Sequence, residues 1–191
     1  GEPVIYTGAQ YLREELLQGN SRCWSKLYRR SLIGKLRFQR GLSIGEDMLF
    51  LTELLGYARK VSEIDYPGYG YYQNAKGAMN RPFTPSYMDQ ITCWELARDR
   101  ILAIDSALEA KVTSILIMGI MLTVGKLAML PAADRRKNAQ YIQICRDKLK
   151  QELQVSGAYE LLSGGYRLKA KLFAAAPGLY LYGYHFRKYK G

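Results

Sequence analysis

Two acids stand side by side at the head of an apolar run, Glu46-Asp47, followed by Met48 to Leu55. Carboxylates in the first turn of a helix are held ionised by the helix dipole, the state in which one can take up a proton. The same stretch, Ser43-Ile-Gly-Glu46, has the S-x-x-E spacing of a capping box, in which the acids merely start the helix. Just upstream, Ser21 to Gly41 carries seven basic residues (Arg22, Lys26, Arg29, Arg30, Lys35, Arg37, Arg40) and no acid. After Glu160 six more follow (Arg167, Lys169, Lys171, Arg187, Lys188, Lys190), again with no acid. Such blocks either form a solvated face or favour anionic partners: nucleotide diphosphates, phospholipid head groups or nucleic acid.

Other chemistries are excluded early. The chain has 191 residues, 28 Lys+Arg against 17 Asp+Glu, a net charge of +11 and one histidine, His185. A Ser-His-Asp triad, a Cys-His pair or a His-rich metal site would each have to use that histidine. Cys23, Cys93 and Cys145 lie 70 and 52 residues apart. That spacing excludes a zinc ribbon and offers no disulfide framework, and it favours a reducing, cytoplasmic setting. Gly119, Gly125 and Lys126 fail as a P-loop, because five residues separate the glycines and Leu127 stands where Ser or Thr is required. Gly68-Tyr-Gly70 lacks a third glycine, and no Asp-x-Asp pair occurs in the chain. The composition, 48% hydrophobic and 24% charged, is that of an ordinary globular chain.

These residues need elements to position them. Thr7 can cap a helix through Leu17 that stops at Gly19. A short strand is expected over Cys23–Tyr28, a helical turn over Ser31–Lys35 and a helix after the capping box. Strands over Lys60–Ile64 and Tyr69–Gln73 follow, joined by Pro67-Gly68. After Pro85 the pattern becomes helical: Tyr87–Ile104, Ala107–Met129 and Arg135–Leu153, then shorter helices around Leu168–Ala176 and Leu179–Tyr189. Gly164-Gly165 and Pro177-Gly178 punctuate them. The run Val112–Val124 is shorter than the ~18–20 apolar residues of a membrane span, so a core helix is expected. The fold class is therefore a short α/β segment, residues 1–82, followed by a mostly α-helical extension, residues 83–191, and helix-dominated as a whole. The start, Gly-Glu-Pro-Val, suggests an excised fragment.

One ordered set of motifs remains. Trp24-Ser-Lys26-Leu27-Tyr28-Arg29-Arg30 is followed by Leu36-Arg-Phe38, then Gly41-Leu-Ser-Ile-Gly45-Glu46-Asp47-Met-Leu-Phe50. Ile64-Asp65 and Tyr69-Gly-Tyr71-Tyr72-Gln-Asn74 complete it. The set resembles the C-terminal half of the catalytic domain of family 2 glycosyltransferases, inverting enzymes of the GT-A fold. The likeness covers about residues 7–80; Gln73, where a basic residue is common, and Ala78, where a serine is common, depart from the pattern.

What the resemblance implies is specific. Asp47 would be the general base that takes the acceptor proton, and Glu46 would orient the acceptor. Lys26 would face the donor diphosphate. Trp24 would stack on a sugar or serve as a buried anchor. Arg29, Tyr72 and Asn74 would complete substrate binding. The donor would be a nucleotide-diphosphate sugar, and the acceptor a glycan or a lipid-linked molecule of a surface-polysaccharide pathway. A divalent metal (Mg or Mn) would be held by an Asp-x-Asp upstream of Gly1, none by this chain alone, and the chain alone would be inactive. Sheet edges exposed by the missing half would favour a homodimer. Two other functions compete: a basic nucleic-acid-binding module, which no recognisable motif supports, and a module at the inner membrane surface. The rings and charges of Leu179–Lys190 favour the latter, which can coexist with catalysis.

Overall fold

The computed structural model describes residues 2–72, 77 and 81–190, apart from the side chains of 188–190. Helix dominates: 62% of the residues are helical, against a single two-stranded sheet among the described residues. The sheet pairs β1 (Val4–Tyr6) with β2 (Val61–Glu63), antiparallel, in the register Val4↔Glu63, Ile5↔Ser62, Tyr6↔Val61.

Thr7 caps α1 (Gly8–Glu14) in a full capping box, its side chain accepting from the Gln10 amide while the Gln10 side chain accepts from the Thr7 amide. The helix breaks at Glu15, passes through a 3-10 turn over Leu16–Gln18 and stops at left-handed Gly19. Gly8 is required for a close approach: a Cβ there would lie 2.2 Å from the Leu55 carbonyl oxygen. That contact seats α1 on the end of α3 (Glu46–Leu55).

Three expectations need correction. Cys23–Tyr28 is not a strand, and neither is the described part of Tyr69–Gln73, residues 69–72. Each would have needed a partner strand, and among the described residues β1 and β2 pair only with each other. Ser43 does not cap α3, whose cap is Gly45 at φ 92° with no side-chain bond. The Ser43 amide instead donates to Asp89 Oδ2 at 2.9 Å. The helical turn expected over Ser31–Lys35 is α2 (Arg30–Ile33).

The remainder is helical: α4 (Asp89–Ile104), α5 (Glu109–Met129), α6 (Ala132–Lys137), α7 (Ala139–Glu152), α8 (Gly164–Ala175) and α9 (Pro177–Lys190). Gly164-Gly165 and Pro177-Gly178 lie inside the first turns of α8 and α9 rather than between helices. Proline in a first turn gives up no intrahelical bond, so Pro177 starts α9 at no cost. Two apolar clusters form the core. One gathers Leu116, Ile117, Ile120, Leu149, Phe173 and Tyr180. The other joins Leu12 and Leu16, Leu49 and Leu51, and Cys93, Ala97 and Ile101 of α4. Trp94 packs against both.

Residues Ser106–Met129 are long and apolar enough to cross a membrane, unlike the shorter run expected, but 72% of that window is buried inside the fold. Burial against α4, α7, α8 and α9 accounts for its apolarity.

Candidate functional site

Glu46 and Asp47 open α3 at its N-terminus, both half-buried. Asp47 Oδ2 accepts from the Cys23 amide at 3.0 Å, and Cys23 Sγ lies 3.5 Å from the Asp47 carbonyl oxygen. The carboxylate is thus anchored through one oxygen to the loop that carries the Trp-Ser-Lys motif. A carboxylate with one oxygen held by a backbone amide is fixed in direction. The same loop is closed by Tyr28, whose hydroxyl donates to the Cys23 carbonyl at 2.9 Å.

Lys26 is half-buried and donates to Asn20 Oδ1 at 2.6 Å. Its pKa is lowered, by desolvation first and also by Arg22, with Glu63 and Asp47 opposing only in part. Glu63 Oε2 is shielded from water with no hydrogen-bond partner among the described residues. Cys23 itself is no nucleophile: burial first, then Asp47, pushes its thiol up to about 12.

Trp24 meets the tyrosine segment. Its ring stacks with Tyr69 at 5.2 Å (14° between planes) and with Tyr71 at 4.8 Å (18°). The Arg22 guanidinium lies 5.5 Å from the Trp24 ring centroid. Tyr69 and Tyr71 remain exposed. Both tyrosines lie against the Trp24 ring yet keep about half of their surface exposed, so the stack beside the Arg22 cation offers aromatic surface to a sugar.

The structure therefore ties Asp47 to the loop that carries Cys23, Trp24 and Lys26, and stacks Tyr69 and Tyr71 on the Trp24 ring of that loop. Arg29 is exposed, and its carbonyl begins α2 by accepting from the Leu32 amide at 2.9 Å. Tyr72 is 86% exposed and makes no ring contact with Trp24 among those described. Asn74 lies outside the described residues, as do Gln73 and Ala78. Sequence reasoning missed the Cys23 amide, because a backbone donor leaves no mark on residue type. It also left Tyr69 and Tyr71 as strand residues, and the clue to their pairing with Trp24 was the density of aromatics alone.

No three His, Cys, Asp or Glu side chains converge as metal ligands among the described residues. The residues present do not supply the Asp-x-Asp that the family resemblance implies, and no step below runs through a metal. Two shallow cavities lie elsewhere, between α6–α7 and α9 and between α5, α8 and α9.

Compared with protein-family models, curated proteins and solved structures, the chain matches none.

Proposed function

We propose that this chain is the acceptor-side half of an inverting glycosyltransferase of the family 2 type, within a GT-A-like catalytic domain. The observation that carries the reading is Asp47, a half-buried carboxylate at a helix N-terminus, tethered to the Cys23 amide next to Trp24 and its tyrosines. In the reaction the acceptor hydroxyl oxygen attacks the anomeric carbon as the bond to the diphosphate breaks. Asp47 takes the hydroxyl proton, and the nucleoside diphosphate leaves with the bonding electrons. Glu46, one residue earlier in the same helical turn, orients the acceptor. The exposed rings of Tyr69 and Tyr71 hold its sugar. Lys26 serves the donor diphosphate only if its bond to Asn20 opens.

The nucleotide-binding half, with its Asp-x-Asp and divalent metal, belongs to a preceding segment in this reading, and the isolated chain is inactive. Support is chemical: an oriented carboxylate, an aromatic stack and a run of seven basic residues all belong to the loop Ser21–Gly41 or are tied to it. Asp47→Asn in the full-length protein tests it. Asn keeps an oxygen for the Cys23 amide but cannot accept a proton, so kcat falls by about 10²–10⁴ with an unchanged melt. Turnover within about twofold of the parent rules out Asp47 as the base.

A further inference from the structure

Helix α9 has two apolar faces. Tyr180 and Leu181 are buried, at 5% and 7% exposure, and Tyr184 joins them in packing on the helical core. Leu179, Tyr182 and Phe186 are exposed, at 62%, 66% and 49%. At about 100° per residue the spacing i, i+3, i+7 places these three on one stripe, opposite the buried face. The Tyr182 and Phe186 rings stack at 6.4 Å, so the stripe is one continuous surface. Helix α8, packed beside α9, exposes Leu168 at 70%.

The two helices of the hairpin, α8 and α9, carry basic residues and no acid. Arg187 on α9 and Lys171 on α8 are exposed. A groove of about 350 Å³ is lined by both Arg136 and Tyr182, which sets an exposed arginine of α6 beside the stripe. Arg135, in the same groove, is turned away to the carbonyls of Ala128 and Leu130 at 3.0 and 2.8 Å. Of the acids on the neighbouring helices, Asp134 pairs with Lys137 at 3.0 Å, while Asp147 accepts from the neutral Gln143 at 2.8 Å and keeps its charge.

We propose that the α8–α9 hairpin is an interfacial face that docks on an anionic lipid bilayer. Leu179, Tyr182 and Phe186 enter the boundary between head groups and acyl chains, and Arg136 and Arg187 face the phosphates. Amphipathic rings at the water–lipid boundary with basic residues alongside are the chemistry of a helix that lies in the interface plane. Charge selects this occupant over a second copy of the chain. From Leu161 onward the hairpin carries six basic residues and no acid, so two copies repel, whereas a negative surface attracts. The face is remote from Asp47 in the chain, and its test reads lipid binding rather than turnover, so it stands or falls separately from the proposed function.

The experiment is co-sedimentation of the 191-residue chain with phosphatidylcholine vesicles, with and without phosphatidylglycerol. The chain pellets with the anionic vesicles, and added salt weakens binding. Tyr182→Ser with Phe186→Ser lowers the partition coefficient roughly tenfold or more. Arg136→Gln with Arg187→Gln lowers it roughly fivefold per charge on the anionic vesicles only. All four positions are exposed, and a thermal melt verifies the fold. Should the aromatic pair unfold the chain, the arginine pair decides alone. Failure to pellet with anionic vesicles overturns the proposal, as does equal pelleting of parent and variants. A concentration-dependent dimer that Phe186→Ser abolishes, without lipid binding, assigns the stripe to a second copy instead and likewise overturns it.

Discussion

The segment Ser21–Gly45 and the helix α5 are similar in length and built on opposite principles. None of the residues 21–45 is buried, and their regular structure is the single turn α2. In α5, 13 of 21 residues are buried. The helix is held by apolar area removed from water, at about 25 cal/mol per Å². The loop is held by bonds between side chain and backbone (Cys23 to Asp47, Tyr28 to Cys23, Arg37 to Gly34) and by ring stacking at Trp24. Each such bond contributes only about 1 kcal/mol net. Chemistry needs solvent-facing polar groups in fixed directions, and that is what the weaker scheme supplies. The helical body supplies the stability that the loop does not.

If that contrast holds, the cysteines report it most strongly. Cys145 is fully buried in the helical core, and Cys23 is half-buried in the loop. Burial pushes both thiols up to about 12, so neither reacts readily as it sits in the fold. Labelling must wait for opening, local for Cys23 and near-global for Cys145. A thiol reagent under native conditions should modify Cys23 faster by at least about a hundredfold. Since the reacting species is the thiolate and an opened cysteine has the ordinary thiol pKa of about 8.5, both rates climb about tenfold per pH unit below that value. Equal rates would mean that the loop is as tightly held as the core.

Truncation at the two ring clusters gives the next largest effect. Phe173 is fully buried, and Phe173→Ala should cost about 3–5 kcal/mol, lowering Tm by roughly 10 °C. Trp24→Ala gives up stacking with Tyr69 and Tyr71, worth about 1 kcal/mol, and leaves Tm within a few degrees. A Trp24 cost as large as that of Phe173 would erase the distinction between the regions.

How far each region was readable from sequence follows the same division. The helices from Asp89 onward were visible because apolar residues recur at helical spacing, and burial enforces that spacing. The Ser21–Gly41 segment has no such period, and the strand expected at Cys23–Tyr28 does not exist. Strand β1 went unread, because Val4–Tyr6 is three mostly exposed residues whose partner lies 55 or more residues later. At the candidate site, Asp47 and Trp24 were visible as residue types. Their setting depends on a backbone amide and on two tyrosines that come together only when the chain folds back.

Gly45 tests the loop-to-helix junction between the regions. Its φ of 92° suits glycine, and an added Cβ would stand 3.0 Å from the Cys93 Cβ in α4. Gly45→Ala should therefore cost about 1–3 kcal/mol. Because Glu46 and Asp47 follow directly, it should also tilt the start of α3 and depress turnover of the full-length protein more than its stability. An alanine variant with parent stability would place the strain elsewhere.

The smallest effect separates two serine/threonine signals that look alike in sequence. Thr7-x-x-Gln10 and Ser43-x-x-Glu46 both match a capping box, but only the first closes. Thr7 accepts from the Gln10 amide at 3.2 Å, and Gln10 accepts from the Thr7 amide at 2.8 Å. Ser43 uses its backbone amide on Asp89, and left-handed Gly45 begins α3 in its place. Thr7→Ala should thus cost about 1 kcal/mol, and Ser43→Ala should stay within about 0.5 kcal/mol. Asp89→Ala, which leaves the Ser43 amide to water at an exposed position, should cost no more than about 1 kcal/mol. Chemical denaturation of the three variants gives the ordering directly. A Ser43→Ala cost equal to that of Thr7→Ala would mean that the serine does cap α3 in solution. Glu46 and Asp47 would then sit two residues, about half a turn, deeper in the helix, and Asp47 would lose its place at the first exposed amides of α3.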